Sequence, residues 1–301
     1  MNKALFIPLF ALAISSVSAQ QTNRLGEAAS QSVTRQINSD NPFASLVGAT
    51  PFYTRVSTAY SHTSNAFSDF REVKDWMLDT NLAAGWRSTL GSSMYLDLSL
   101  LANRLDYANQ DLLSRNMFGA RVSFAGLLPG RLPYYLSYTS QWFMDSSYDS
   151  TSLNFHTLSA TVPVYKKTFA NKSVVTVLTS FSWLKAEPSD FDQVIPGLTV
   201  RYSAPITDSD RLELSLAQNY AFYQHFQPGL FNEGDRQDWR TTLALQWVHN
   251  FTKNIYFTAG VSYTRNDSNL TGFDAATGRG GGLYDYKTWN FVPTVGMNFN
   301  F

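Results

Sequence analysis

His62, His156, His225 and His249 are the only imidazoles in the chain, and there is no cysteine. No two histidines stand at i, i+2 or i+4, so no pair of metal ligands is offered along one element, and neither metal nor cofactor is expected. The missing thiols exclude disulfide scaffolds, thiolate metal sites and cysteine nucleophiles. The stretch His62-Thr63-Ser64-Asn65 puts an imidazole and a hydroxyl two residues apart. On an extended backbone they share one face, as a base and a nucleophile must. Asp267, Asp274 and Asp285 flank a Gly-rich run, Thr277 to Gly282. The run lacks the strand-to-helix context of a phosphate cradle and reads as a surface loop whose carboxylates could hold a divalent cation. What remains is a scatter of isolated charges, whose meaning depends on the elements that carry them.

Those elements are read against the whole composition. The 301 residues include Phe 22, Tyr 16 and Trp 7, with 23 basic and 23 acidic side chains. Charged residues are 15% of the chain, well below the usual share of about 25%. Zero net charge argues against a nucleic-acid partner, which calls for a basic face. A mean hydropathy of −0.20 resembles that of a soluble protein, but a membrane barrel with one greasy and one wet face averages to the same figure. Residues 1–19 carry Lys3, the apolar run Ala4 to Ile14 and the small-residue stretch Ser16 to Ala19. They read as a secretory signal cut near Ala19 by signal peptidase. The apolar run is shorter than the roughly 20 residues of a membrane-spanning helix, and no later run approaches that length.

From Phe52 onward the chain alternates with period two in segments of about ten residues, long enough to cross an outer membrane when tilted. Twelve segments stand out: 52–62, 76–87, 94–103, 116–125, 134–143, 156–165, 174–184, 197–205, 211–223, 239–249, 255–265 and 287–301. The fold expected is all-β, a closed antiparallel transmembrane barrel of about twelve strands, with ten or fourteen as neighbouring possibilities. Gaps after odd-numbered segments are long (63–75, 104–115, 144–155, 185–196, 224–238, 266–286), and those after even-numbered ones are shorter. Long loops on one side and short turns on the other suit a bacterial outer-membrane barrel with both chain ends in the periplasm. Residues 20–51 precede the barrel, which takes 52–301. Leu25 to Ile37 could form a short helix, and the segment reads as a flexible periplasmic lead-in, or else a plug.

Parity separates the two faces. Trp76, Trp86, Trp142, Trp183, Trp239, Trp247 and Trp289 all share the aliphatic face, mainly at segment ends, as an aromatic girdle at the lipid boundary would. The opposite face is polar and small, and it predicts a wet lumen. It carries Arg55, Asp79, Arg87, Asp97, Arg121, Arg201, Arg211, Glu213 and Arg240. These charges either favour anionic solutes at a constriction or form cross-strand pairs that stiffen the wall; the second is preferred, because no ring at one depth is evident. Twelve strands give a backbone diameter of roughly 24 Å and a narrow bore. Pro163 and Pro205 fall at periplasmic strand ends, whereas Pro293 falls inside the last strand and implies a bulge or a lost hydrogen bond.

The chain ends Phe291, Pro293, Val295, Met297, Phe299, Phe301 in alternation. This resembles the C-terminal strand of bacterial outer-membrane β-barrel proteins, the porin-like class. The resemblance implies an assembly signal at Phe299 and Phe301 read by the barrel-assembly machinery. His62-Thr63-Ser64-Asn65 is similar to the His-x-Ser-Asn motif of outer-membrane phospholipase A, a twelve-stranded barrel whose His and Ser face lipid. The resemblance departs where that family has an Asn after a Trp on the next strand, since Met77 follows Trp76 here. The structural reading of the motif is a polar strand cap.

The function expected is a passive porin-like channel for small solutes in the bacterial outer membrane, in contact with its lipid and lipopolysaccharide. A structural or surface-interaction barrel without conductance is the second reading, and a phospholipase-type hydrolase the third.

Overall fold

The computed structural model describes residues 51–66, 73–90, 94–128, 132–145, 151–187, 189–224, 236–269, 272–274, 279–281 and 285–300. Residues 1–50 and Phe301 lie outside the described residues, and with them the expected signal, lead-in or plug and terminal aromatic. The strands are β1 (Phe52–Thr63), β2 (Asp75–Leu90), β3 (Met94–Tyr107), β4 (Arg115–Leu128), β5 (Leu132–Asp145) and β6 (Thr151–Thr168). They continue with β7 (Val174–Glu187), β8 (Gln193–Pro205), β9 (Asp210–Tyr223), β10 (Gln237–Asn250) and β11 (Ile255–Ser268). A small hairpin, β12 (Gly272–Asp274) with β13 (Arg279–Gly281), precedes β14 (Tyr286–Asn300). The hairpin is a separate two-stranded sheet, and the other twelve strands form one closed antiparallel barrel in which β1 pairs with both β2 and β14.

The strands outrun the expected ten residues. β1 has 12 and β6 has 18, and a strand of 14 tilted about 40° rises about 36 Å. That exceeds the roughly 25 Å apolar band of an outer membrane. Much of the excess is at the long-loop end, where the expected gap 144–155 shrinks because β5 runs to Asp145 and β6 starts at Thr151, and β2, β4 and β6 each run three residues further at the short-turn end. Above the lipid both faces of a strand can be polar, so alternation fades while the hydrogen-bonded ladder continues. Asp145, for example, still pairs with Arg115.

Prolines mark the ladder's interruptions. Pro163 is not at a strand end as expected. It lies inside β6 at a register shift against β7, where a bulge absorbs the missing donor. Pro205 does end β8. Pro196, in the expected gap 185–196, falls inside β8, where the pairing with β9 lapses between Val194↔Phe222 and Gly197↔Asn219. At the seam, the β1–β14 register runs to Ala59↔Thr294 and resumes at His62↔Phe291. Pro293 and Val292 thus face Tyr60 and Ser61 without pairing, the local loss expected of that proline.

Two glycines of the inner wall are required by packing. Tyr256 pairs with Gly296, and its ring lies where a Cβ on Gly296 would stand. Tyr53 covers Gly85 likewise, with ring atoms 2.6 Å from the position of a Cβ. Gly260, by contrast, has only ordinary contacts, the nearest being the Leu245 carbonyl at 3.4 Å. Gly296→Ala is therefore expected to cost about 1–3 kcal/mol by overpacking, and Gly260→Ala to be close to neutral. Urea unfolding of the refolded barrel in detergent, followed by Trp fluorescence, measures both; equal effects would contradict this packing.

Candidate functional site

The outer face is apolar and exposed, with Leu100 at 69%, Phe291 at 48% and Leu243 at 47%. Six indoles, Trp76, Trp142, Trp183, Trp239, Trp247 and Trp289, are exposed on it, and Trp86 is half-buried on the same face. Trp86 and Trp247 stand toward the short turns and the other five toward the long loops, several against a tyrosine. Tyr60 stacks on Trp76 at 5.1 Å and Tyr263 lies 4.7 Å from Trp289. Phe299 is on this face too.

All nine charges singled out from parity stand on the inner wall, but that wall is not uniformly polar. On the β2–β7 side, Leu101, Met117, Phe143, Leu153, Phe155 and Leu184 pack with Phe191 into a buried apolar cluster. The Phe143 and Phe155 rings meet edge to face at 5.4 Å, and the Arg115 guanidinium lies 5.5 Å from the Phe143 ring. The expected wet lumen is therefore corrected on this side. Parity tells inside from outside, and the large inward residues escape attention because they share strands with small polar ones. At the long-loop end of the opposite side, Arg236 donates to both Asp238 oxygens, at 3.0 and 2.5 Å, and its guanidinium lies 4.3 Å from the Tyr223 ring. Arg240 belongs to this group, beside Tyr286.

The carboxylates take mostly neutral partners rather than arginines across the sheet. Asp79 accepts hydrogen bonds from Asn81 (2.9 Å) and Asn103 (2.5 Å). Asp97 accepts from Tyr53 (2.8 Å) and Tyr95 (3.2 Å), with Arg87 opposite it in register. Arg55 and Arg87 lie 4.7 and 5.1 Å from the Tyr53 ring, and Arg121 interacts with Tyr53 as well. Arg87 also donates to Asn300 at 2.5 Å, across the seam region. Glu213 does take an arginine, accepting from Arg211 Nε at 2.5 Å along the same strand.

Within the polar half, a cavity of about 400 Å³ runs inward from the turn 251–254 along β8 to β11, β14 and β1. Arg55, Arg201, Arg211, Glu213, Lys253 and Tyr256 line it, among Thr, Ser, Asn and Gln side chains. A smaller cavity of about 80 Å³ lies beyond, lined by Arg121, Leu101 and Met117. Arg55 and Tyr256 line both and so stand between them. Lys253 escaped the sequence reading because a turn residue has no parity, and Tyr256 because it sits at a segment boundary.

Comparison with known proteins finds no matching family model and no matching curated protein. Among solved structures, an outer-membrane channel from Pseudomonas putida F1 shares 12% identity at a TM-score of 0.52, over 84% of this chain and 96% of its own. The translocator domain of the autotransporter NalP from Neisseria meningitidis gives 0.46 at 12% identity, over 97% and 100% of the two chains. The fold is that of a bacterial outer-membrane β-barrel. The likeness to the Pseudomonas putida channel carries the fold alone, and the lumen of this barrel is read from its own residues.

The His62-Ser64 pair belongs to the barrel's seam. The Ser64 hydroxyl accepts from the Trp289 N–H at 2.7 Å, and the Ser64 N–H donates to the Trp289 carbonyl at 2.8 Å. The His62 ring packs edge-on to Trp76 at 4.9 Å, and Met77 turns inward to pack on Leu105 and Tyr107. This geometry is a polar cap that lengthens the β1–β14 join. Of the three loop carboxylates, Asp267 pairs with Arg265 at 2.8 Å and Asp285 accepts from the Ser268 N–H at 2.7 Å. The side chain of Asp274 lies outside the described residues, as does His225.

Two outcomes follow for these groups. Asp97→Ala removes the acceptor of two buried tyrosine hydroxyls and is expected to destabilise by about 1–3 kcal/mol in the same urea titration; a change within experimental error would contradict the network. Ser64→Ala is expected to loosen the seam by about 1 kcal/mol and to leave phospholipid hydrolysis at the background of the parent protein. Hydrolysis that Ser64→Ala abolishes would restore the nucleophile reading.

Proposed function

We propose that this protein is an outer-membrane channel that admits small solutes passively through the polar half of its lumen. The reading implies secretion through the signal at 1–19, assembly through Phe299 and Phe301, and contact with lipid and lipopolysaccharide over the apolar belt. The observation that carries it is the 400 Å³ cavity inside the wall, within the roughly 300–1,000 Å³ typical of small-molecule sites. Its continuation past Arg55 and Tyr256 ends against Leu101 and Met117. Solutes entering from the short-turn side thus meet a wide polar vestibule, then a narrow neck, then an apolar constriction of the kind that gates by dewetting. Charged groups along the vestibule supply the interactions that replace part of a solute's hydration.

A second reading has its own support. The apolar cluster and the Arg236–Asp238 pair fill much of the long-loop half with buried side chains, as in a barrel that serves a structural or surface role. Planar-bilayer recording on the purified full chain separates the two. Discrete conductance steps are expected, and Phe143→Ala, which thins the constriction, is expected to raise the step size by about twofold or more. A silent bilayer with both proteins would favour the structural barrel.

A further inference from the structure

Parity alone scatters the lumenal charges, but the fold gathers them by height. Arg55 is near the start of β1, Arg211 near the start of β9, Arg201 near the end of β8, and Lys253 in the turn between β10 and β11. All four line the same 400 Å³ cavity, and among the described residues Glu213 is its one carboxylate. Glu213 already accepts from Arg211, so a solute entering the cavity meets a formal excess of three positive charges. The walls are low-dielectric protein, where like charges held close repel more strongly than in bulk water. A cluster of this kind is stabilised by an anion that brings more than one negative charge, and the concave wall focuses the field toward the mouth. The guanidinium groups favour planar, multidentate acceptors, which carboxylate and phosphate both supply.

From this arrangement we infer that the short-turn cavity is a binding site for small polyanions, compounds bearing two or more carboxylate or phosphate groups. The inference rests on the channel reading only for its role as a selective vestibule; the site itself binds whether or not the barrel conducts. Occupancy lowers the repulsion among Arg55, Arg201, Arg211 and Lys253, so the empty site is electrostatically tense and the loaded one relaxed. Tyr256, held over Gly296, and Arg55 form the inner limit at which the anion stops before the neck. Binding weakens as salt rises, because the interaction is chiefly between charges.

The test uses the full chain refolded in a neutral detergent, titrated calorimetrically with citrate, with putrescine as the cationic comparison. Citrate is expected to bind at low ionic strength and putrescine to give no heat. The double variant Arg201→Gln, Lys253→Gln is expected to weaken citrate at least about tenfold, given two charges lost from one site. Glu213→Gln, which removes the sole carboxylate, is expected to tighten it, a gain that misfolding does not produce. No citrate binding by the parent, equal binding of putrescine, or affinities unchanged in both variants would overturn the site. Bilayer recording then distinguishes the two proposals. A silent bilayer with citrate binding intact removes only the channel reading, whereas conductance that prefers cations in a salt gradient removes only the anion site.

Discussion

In hydrocarbon every backbone N–H and C=O must find its partner within the protein, and a sheet meets that demand only by closing on itself. The pairing of β1 with β14 is therefore the interaction on which the remaining structure depends. It runs from Tyr53↔Asn300 to Thr63↔Asn290 and is extended by the reciprocal bonds of Ser64 with the backbone of Trp289. The same demand explains where prolines are tolerated. Pro163 sits at a bulge, and Pro196 and Pro293 sit where the ladder lapses on one side, so each absent donor coincides with a local break. A histidine and serine at the seam, resembling a catalytic pair by spacing, instead take part in holding the barrel shut.

Closure also creates an interior, and its contents differ by sector. Bulky residues of β3 to β7 pack together on one side of the inner wall and are buried there. Small and polar residues of β8 to β11 and β14 leave the other side open. The two sectors differ in packing: one is filled by buried apolar side chains, and the other holds the cavity. Glycine has a specific part in this division, since Tyr53 and Tyr256 lie flat on the wall only because Gly85 and Gly296 have no Cβ. Flat rings keep the vestibule wide while still covering the backbone.

Charge is arranged on the same plan. Acids that serve structure are satisfied by tyrosine hydroxyls and amides, as at Asp97 and Asp79, or by one arginine at the long-loop end, as at Asp238. Basic residues around the short-turn mouth outnumber the carboxylates near them. A wall that merely needed bracing would pair its charges across strands. This one places an excess of cations around the 400 Å³ cavity, which is an arrangement suited to a ligand.

Much of the fold was legible in the sequence. Period-two alternation from Phe52, seven indoles on one parity and a chain of alternating apolar residues to the C-terminus implied twelve strands, closure and the face each side chain takes, because a strand has only two faces. Strand ends above the lipid were less legible, since the alternation that reveals a strand vanishes where both faces meet water. Depth, sector and partner were not legible at all. Parity cannot say that Phe143 meets Phe155, that Asp97 belongs to two tyrosines, or that a lysine in a turn shares a cavity with arginines on three strands. Those facts depend on the stagger between strands around a closed cylinder, which brings together residues distant in sequence. By itself, then, the sequence determined which residues face inward; only the closed barrel, through that stagger, decided which of them meet.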